Sequence, residues 1–488
     1  MRLRRRQAAV VPDDPCTAAL VDALGVHKVK VDGASRYLAA RDASVYRDGA
    51  AGPVCYPETA DEVAACVRIA ARHDRAVVPR GAGTGLAGGT VPLGTPVVIA
   101  TTRMNRILDV NLDNRVVWVE PGVINLDLTR HLLPMGFHFA PDPSSQQVCT
   151  IGGNVANNSG GPHCLAYGVT SAHVVAVDVV LPSGEQVRLG GVEPHQPGYD
   201  LRGAFVGSEG LLGIATRVAV RITPNPPAVA TLLLSFDDVE KAATAVGAII
   251  AAGMVPAALE MMDSRIIAAV EHHVHAGYPL DAAAVLLVEV DGPAAGVAAD
   301  AARVGEIGRA HGATEVREAV DEHERALLWK GRKGAFGAIA VIKPDYYLHD
   351  TVVPRRALVE VLTAIYEIAA RHDLIVLNVF HAGDGNLHPL LVFDGREPGT
   401  MPRVHAAGRE IIEASLAAGG VLSGEHGIGV EKRDFMNLQF SDDDLDAQAR
   451  LKAAFDPHCR ANPGKVIPAS HSCADIQALQ RVPDGVWG

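Results

Sequence analysis

Three imidazoles and a carboxylate stand out in the C-terminal half of the sequence. His381 and His388 bracket the run His-Ala-Gly-Asp-Gly-Asn-Leu-His, and Glu425 and His426 sit between Gly424 and Gly427. Two histidines and one glutamate are a common catalytic metal set that leaves a coordination position open. The separation of His381 and His388 puts them on opposite faces of a strand, and a loop between two strands can bring them together. On spacing alone such a pair is more often two unrelated histidines. The glycines around both segments favour a site, because they let the backbone turn sharply and let a small molecule approach.

A second constellation lies upstream. Arg80-Gly-Ala-Gly-Thr-Gly-Leu-Ala-Gly-Gly89 follows a short apolar strand at 76–79. Gly83–Gly88 matches the letters G-x-G-x-x-G, but no helix follows, and the Lys-Ser/Thr ending of a nucleoside-triphosphate loop is missing. Such a loop can converge its N–H groups on an anionic diphosphate. A cofactor loop with a metal set points to a flavin- and metal-dependent oxidoreductase.

These residues need a large scaffold, and 488 residues with 48% apolar content supply two or three domains. A formal charge of −12 speaks against a nucleic-acid binder. The seven cysteines are scattered and odd in number, which predicts a reduced, cytoplasmic chain without a disulfide framework. Cys149 is expected to be a small buried filler. The basic start, Met1–Arg6, reads as a frayed terminus, with contact at the inner face of a membrane as the alternative; the stretch Val10–Pro15 is too polar for the core of a signal peptide. No apolar run is long enough to predict a membrane span.

Thr59-Ala-Asp-Glu62 predicts a capping box and a helix ending near His73. Residues 141–170 read as a long functional loop. Thr223–Pro227 is the best boundary. Beyond it the pattern gives strands at 232–236, 259–262, 285–290 and 314–316 with helices at 237–253 and 294–311, a β-α-β-β-α-β order. A similar order recurs over 346–418, which predicts two such units in one antiparallel sheet. The expected division is 1–49, an N-terminal helical segment; 50–227, a cofactor domain; 228–440, a substrate and metal cap; and 441–488, a helical segment returning to the cofactor domain.

The glycine loop is followed by Glu120-Pro-Gly122, Pro141-Asp-Pro143, Ile151–Gly161, Tyr167-Gly168, Gly198–Leu201, Gly207–Gly213 and Asn462-Pro-Gly-Lys465. This series resembles the FAD-binding domain of the vanillyl-alcohol-oxidase superfamily. The resemblance implies an α+β fold, a two-part FAD domain plus an α/β cap with a large antiparallel sheet. It implies FAD on Pro79, Arg80, Gly81, Ala82, Gly83, Thr84, Gly85, Gly88, Pro143, Gly152, Gly153, Asn157, Gly160, Gly168, Glu209, Gly213, Ile214 and Asn462. Some relatives tether FAD through a histidine; residues 79–92 contain none, so a non-covalent flavin is expected.

The second half is similar to FAD-linked 2-hydroxyacid dehydrogenases, through 381–390, Ser423–Gly429, Trp329–Phe336, Pro344–Tyr347 and Val353–Ala357. That resemblance implies His381, His388 and Glu425 as ligands of one divalent ion, zinc before manganese or iron. His426 becomes the general base and Arg332 the clamp on the substrate carboxylate. The implied reaction is oxidation of glycolate or D-lactate to the 2-oxo acid, with metal-assisted deprotonation of the hydroxyl and hydride transfer to flavin N5. Members acting on D-2-hydroxyglutarate, the alternative substrate, carry an Asn and a Lys where this chain has Leu390 and a residue near Leu348, which favours a short monocarboxylate. A quinone, a cytochrome or an iron–sulfur partner subunit is the implied electron acceptor. Two other readings stay open: a flavin subunit active only in a complex, and an iron oxygenase with a two-His-one-carboxylate set.

Overall fold

A computed structural model describes residues 14–193 and 195–471. The basic residues 1–6 and the tail from 472 to 488 lie outside the described residues. Three extended layers carry the chain, and the site lies where they meet.

The first is a four-stranded sheet in the order Val29–Lys30, Val54–Cys55, Val97–Ala100, Val77–Arg80, its last three strands parallel. The helix Ala60–Arg72 covers it with Val63, Cys66, Val67 and Ala70. Thr59 caps this helix as expected, but the expected reciprocal bond is not made: Glu62 instead accepts from the Glu58 N–H and ties to Lys28. The segment after the last long helix returns here, and Val77 bonds with Arg460 and Asn462.

The second layer is a five-stranded antiparallel sheet, ordered Ile107–Asn111, Val116–Val119, Ile214–Arg221, Val174–Val180, Gln186–Gly190. The stretch expected as a long loop at 141–170 contains a helix, Ile151–Asn157, capped by Thr150, and a second turn at Cys164–Tyr167. Its glycines hid the helix, since glycine disfavours helix by about 1 kcal/mol relative to alanine; burial of Ile151 and Val155 compensates.

The third layer is a nine-stranded antiparallel sheet containing both expected strand–helix units. Alternate residues of its strand Ala284–Gly292 face opposite cores, Leu286 and Val288 on one side, Val285 and Leu287 on the other. The helices Val239–Ala251, Ala294–Ala310, Leu358–Arg371 and Thr400–Ala417 cover the first face. Ser264–Val274 and Glu322–Ala338, neither marked out in the sequence pattern, cover the second. The last of these helices carries Lys333 and Phe336 to the wall of the functional cavity.

Among the described residues, Cys16, Cys55, Cys66, Cys149 and Cys164 are free, and Cys459 is disulfide-bonded. The expectation of a chain without disulfides is corrected at that one position, where neither the odd count nor the scatter of the cysteines gave a signal.

Candidate active site

His381 ends the strand Ile375–His381, and the chain turns through 382–385 into Asn386–Leu387, placing His388 just past the bend. Gly385 has φ +79°, and a Cβ there would stand 2.2 Å from the Val353 carbonyl oxygen, so only glycine makes this turn. The two imidazoles meet with ring centroids 5.1 Å apart. Glu425 Oε1 lies 3.3 Å from His381 Nε2 and 3.5 Å from His388 Nε2. One ligand atom from each of the three falls within 4.8 Å of the others. His426 stacks on His388 at 4.9 Å.

A carboxylate behind the cluster was not anticipated. Glu260 is the cross-strand partner of His381, and its Oε1 accepts from His381 Nδ1 at 2.8 Å. Holding Nδ1 leaves Nε2 aimed at Glu425, the arrangement by which a second carboxylate orients a metal-binding histidine. Burial alone would depress His381, but Glu260 and Glu425 outweigh it and hold its pKa well above the ordinary value. The cluster therefore draws in positive charge, and a divalent cation competes for the place of that proton. His388 is buried, and among the described residues neither ring nitrogen has a hydrogen-bond partner, with Nε2 3.5 Å from both Asp350 and Glu425. Buried polar atoms without partners are uncommon, and these suit a missing cation. The donor set fits zinc, manganese or iron alike.

Two adjoining cavities lead to this cluster. The smaller is lined by Pro79, Arg80, Gly81, Gly152, Gly153, Asn157, Glu209, Gly213 and Ile214 among others. The larger, of about 350 Å³, is walled by Gly81–Gly85, Pro143, Gly153 and Asn157 on one side. Its other side is formed by Lys333, Phe336, Tyr346, Leu348, His388, Glu425 and His426. A cofactor seated on the glycine loop thus reaches the histidines. The fit is close: a Cβ on Gly81 would stand 2.6 Å from Thr150 Oγ1, and one on Gly152 2.6 Å from the Pro121 Cβ.

The chain is similar to known sequences. Residues 52–190 match the FAD binding domain family, and residues 225–466 match the C-terminal domain of FAD linked oxidases. The chain is 48% identical over 426 residues to glycolate oxidase subunit GlcD of Escherichia coli K12, covering 87% of this chain and 85% of that protein. It is 39% identical to the Bacillus subtilis subunit of the same name, covering 92% and 96% of the two chains. It is also 34% identical to D-lactate dehydrogenase of Anaerostipes hadrus, covering 83% and 87%. This chain belongs to the FAD-linked oxidases. In fold it resembles p-cresol methylhydroxylase, with a TM-score of 0.81 at 16% identity over 94% and 97% of the two chains. The expected vanillyl-alcohol-oxidase architecture is thereby borne out.

Within this FAD-linked oxidase most sequence-predicted residues converge. Gly88, Gly160, Gly168, His381 and Asn462 do not line the cavities; His381 meets the cluster from behind Glu425 and His388. Asn462 Nδ2 donates to the carbonyls of Gly89 and Glu209, fastening the glycine loop from the C-terminal side. A Cβ on Gly160 would stand 2.7 Å from Glu425 Oε2, so this glycine lets the histidine loop approach. Glu209 accepts from the N–H groups of Ile428 and Gly429, and Asn157 donates to the His426 carbonyl. Burial pushes Glu209 up to about 7. Cys149, expected as filler, is buried but lines the larger cavity, as does Thr90.

Arg332 is fully buried and pairs through Nε with Glu260 at 2.8 Å, and it is not among the residues lining the cavity. Its Nη1 has no hydrogen-bond partner. Its neighbour Lys333 does line the cavity and pairs with Asp142 at 3.2 Å. Burial, reinforced by His388 and Lys432, pushes His426 down to about 4, so its imidazole is neutral near pH 7. No helix among the described residues is long and apolar enough to cross a membrane.

Proposed function

We propose that this FAD-linked oxidase oxidises a short 2-hydroxy acid, glycolate or D-lactate, to the 2-oxo acid. The observation that carries the reading is the continuity between the glycine-loop cavity and a buried histidine–carboxylate cluster with unsatisfied ring nitrogens. His381, His388 and Glu425 would hold the cation, and the cavity residues from Pro79 to Ile214 would hold a non-covalent FAD. When bound, FAD would supply the acceptor for the Cα hydrogen and its electron pair, and the cation would supply a Lewis acid for the hydroxyl oxygen.

The chain's own residues do the rest. His426, neutral and beside the cavity, takes the hydroxyl proton. Arg332, whose Nε and Nη2 already pair with Glu260, would reach the substrate carboxylate through Nη1 alone. Phe336, Tyr346 and Leu348 line the cavity beside His388, and the cation on that wall, Lys333, is already paired with Asp142, which fits a monocarboxylate better than a dicarboxylate. The division into segments 1–49, 50–227, 228–440 and 441–488 accords with the same reading. The relatives named as glycolate oxidase subunits favour a second possibility, a chain that completes its turnover within a larger complex and passes electrons to a quinone, a cytochrome or an iron–sulfur partner.

The test is anaerobic mixing of the flavin-loaded protein with both enantiomers of a panel of short 2-hydroxy acids. Bleaching of the flavin by glycolate or D-lactate supports the proposal. Bleaching only by D-2-hydroxyglutarate, or by no member of the panel, contradicts it.

A further inference from the structure

Asp350 sits between the strands Asp345–Leu348 and Thr351–Val352, directly behind the loop that carries Glu425 and His426. It is 1% exposed. Its Oδ2 accepts from Ser423 Oγ at 2.6 Å and from the N–H groups of Gly424, Glu425 and His426 at 3.0, 3.2 and 2.9 Å. Oδ1 lies 3.1 Å from the Gly424 nitrogen. Lys432 Nζ donates to the Asp350 carbonyl at 2.9 Å and stands 3.5 Å from Oδ2. Ser423 Oγ in turn accepts from Gly427 N–H at 2.9 Å.

Three consecutive N–H groups converging on one point form a nest of the kind that binds anions. Here the anion is a side chain of the same molecule. Asp350 also stands with His388 and His426 in a second group of three possible metal donors, within 4.8 Å of one another. Chemistry separates the two groups. The Glu425 carboxylate accepts from no backbone N–H and faces His381 and His388. Asp350 Oδ2 is already committed to three N–H groups, a hydroxyl and an ammonium, and Oδ1, shared with the Gly424 N–H, stands 3.5 Å from His388 Nε2, so a cation drawn onto this carboxylate would disturb bonds that shape the loop.

We propose that Asp350 is a positioning residue: its carboxylate fills the nest of 424–426, and this internal anion sets Glu425 towards the cation and His426 towards the substrate. The proposal rests on the proposed function only for the cation. The shape of the loop is testable without it.

The experiment compares wild type, Asp350→Asn and Ser423→Ala in the flavin-loaded protein. Hydrogen exchange is followed at the amides of 424–427, and zinc affinity is measured by chelator competition. Asp350→Asn removes the anion at nearly constant volume. Its 424–426 amides should exchange about tenfold faster or more. Zinc should bind about 10–100-fold more weakly, as for other residues that orient a ligand from behind, with one ion still bound at saturation and flavin content unchanged. Ser423→Ala should move both readouts the same way by less, and it carries the test alone if Asp350→Asn does not fold. Unchanged exchange overturns the proposal, as does faster exchange with unchanged zinc affinity. Loss of the ion at saturating zinc would make Asp350 a ligand and also overturn it. Wild type that binds no zinc refutes the metal reading and leaves the exchange rates to decide the role of Asp350.

Discussion

Two buried clusters of histidine and carboxylate lie along the helix Glu322–Ala338, and they differ in whether their bonds are complete. Near one end, His163 Nδ1 pairs with Asp142 at 3.0 Å and Nε2 with Glu289 at 3.3 Å. Lys333 completes Asp142, while Arg325, Trp329 and Thr231 complete Glu289. Near the other end, beside Phe336, His388 has no hydrogen-bond partner on either nitrogen, and His426 Nδ1 has none. The residue types are the same. The first cluster is a saturated network joining the five-stranded and nine-stranded layers, and the second leaves donors facing a cavity. Composition alone does not separate a staple from a reaction centre, and satisfaction of the lone pairs does.

The comparison can be broken most severely at the open cluster. His426→Ala should keep flavin and metal but slow flavin reduction by substrate about 10²–10⁴-fold, the usual worth of a positioned base; stopped-flow bleaching at the wild-type rate would dismiss its role. His388→Ala should lose the ion, so metal analysis that still finds one per chain would reject the ligand set. Glu260→Gln, acting from behind His381, should weaken metal about 10–100-fold without abolishing it. Arg332→Lys should raise KM more than Lys333→Ala does. The reverse order would move the carboxylate grip to the lysine that lines the cavity.

The closed cluster should respond to pH through stability, with the smallest effect. Burial opposes the charge on His163, but Asp142 and Glu289 raise its pKa to about 10. A group raised above its unfolded value stabilises fully below about 6.5 and loses that contribution as pH climbs towards about 10. Asp142 and Glu289 are held below their ordinary values of 3.8 and 4.5, so their contribution is lost only in acid. The melting temperature should therefore decline between about pH 6.5 and 10, and His163→Gln should flatten that decline. An equal slope in both proteins would remove His163 from the account.

The sequence carried most of the open cluster, because glycine-flanked His381, His388, Glu425 and His426 are conspicuous where the backbone must bend. It did not carry Glu260 or Asp350. Glu260 shares its stretch with Asp263, and Asp350 shares 345–352 with Asp345, so nothing in either strand pattern singles out the carboxylate that faces the cluster. Their partners lie far along the chain, and only strand register brings Glu260 against His381. The helix Glu322–Ala338 was missed because the polar residues of its mixed surface, Arg325, Arg332 and Lys333, are drawn into internal ion pairs.

The open cluster is proposed to do its chemistry through a bound cation. The most direct measurement is anaerobic flavin bleaching by glycolate or D-lactate before chelation, after chelation to zero metal, and after return of zinc or manganese. The account predicts bleaching that disappears with the metal and returns with it, while flavin stays bound throughout. Bleaching at the full rate by protein shown to contain no metal would contradict it.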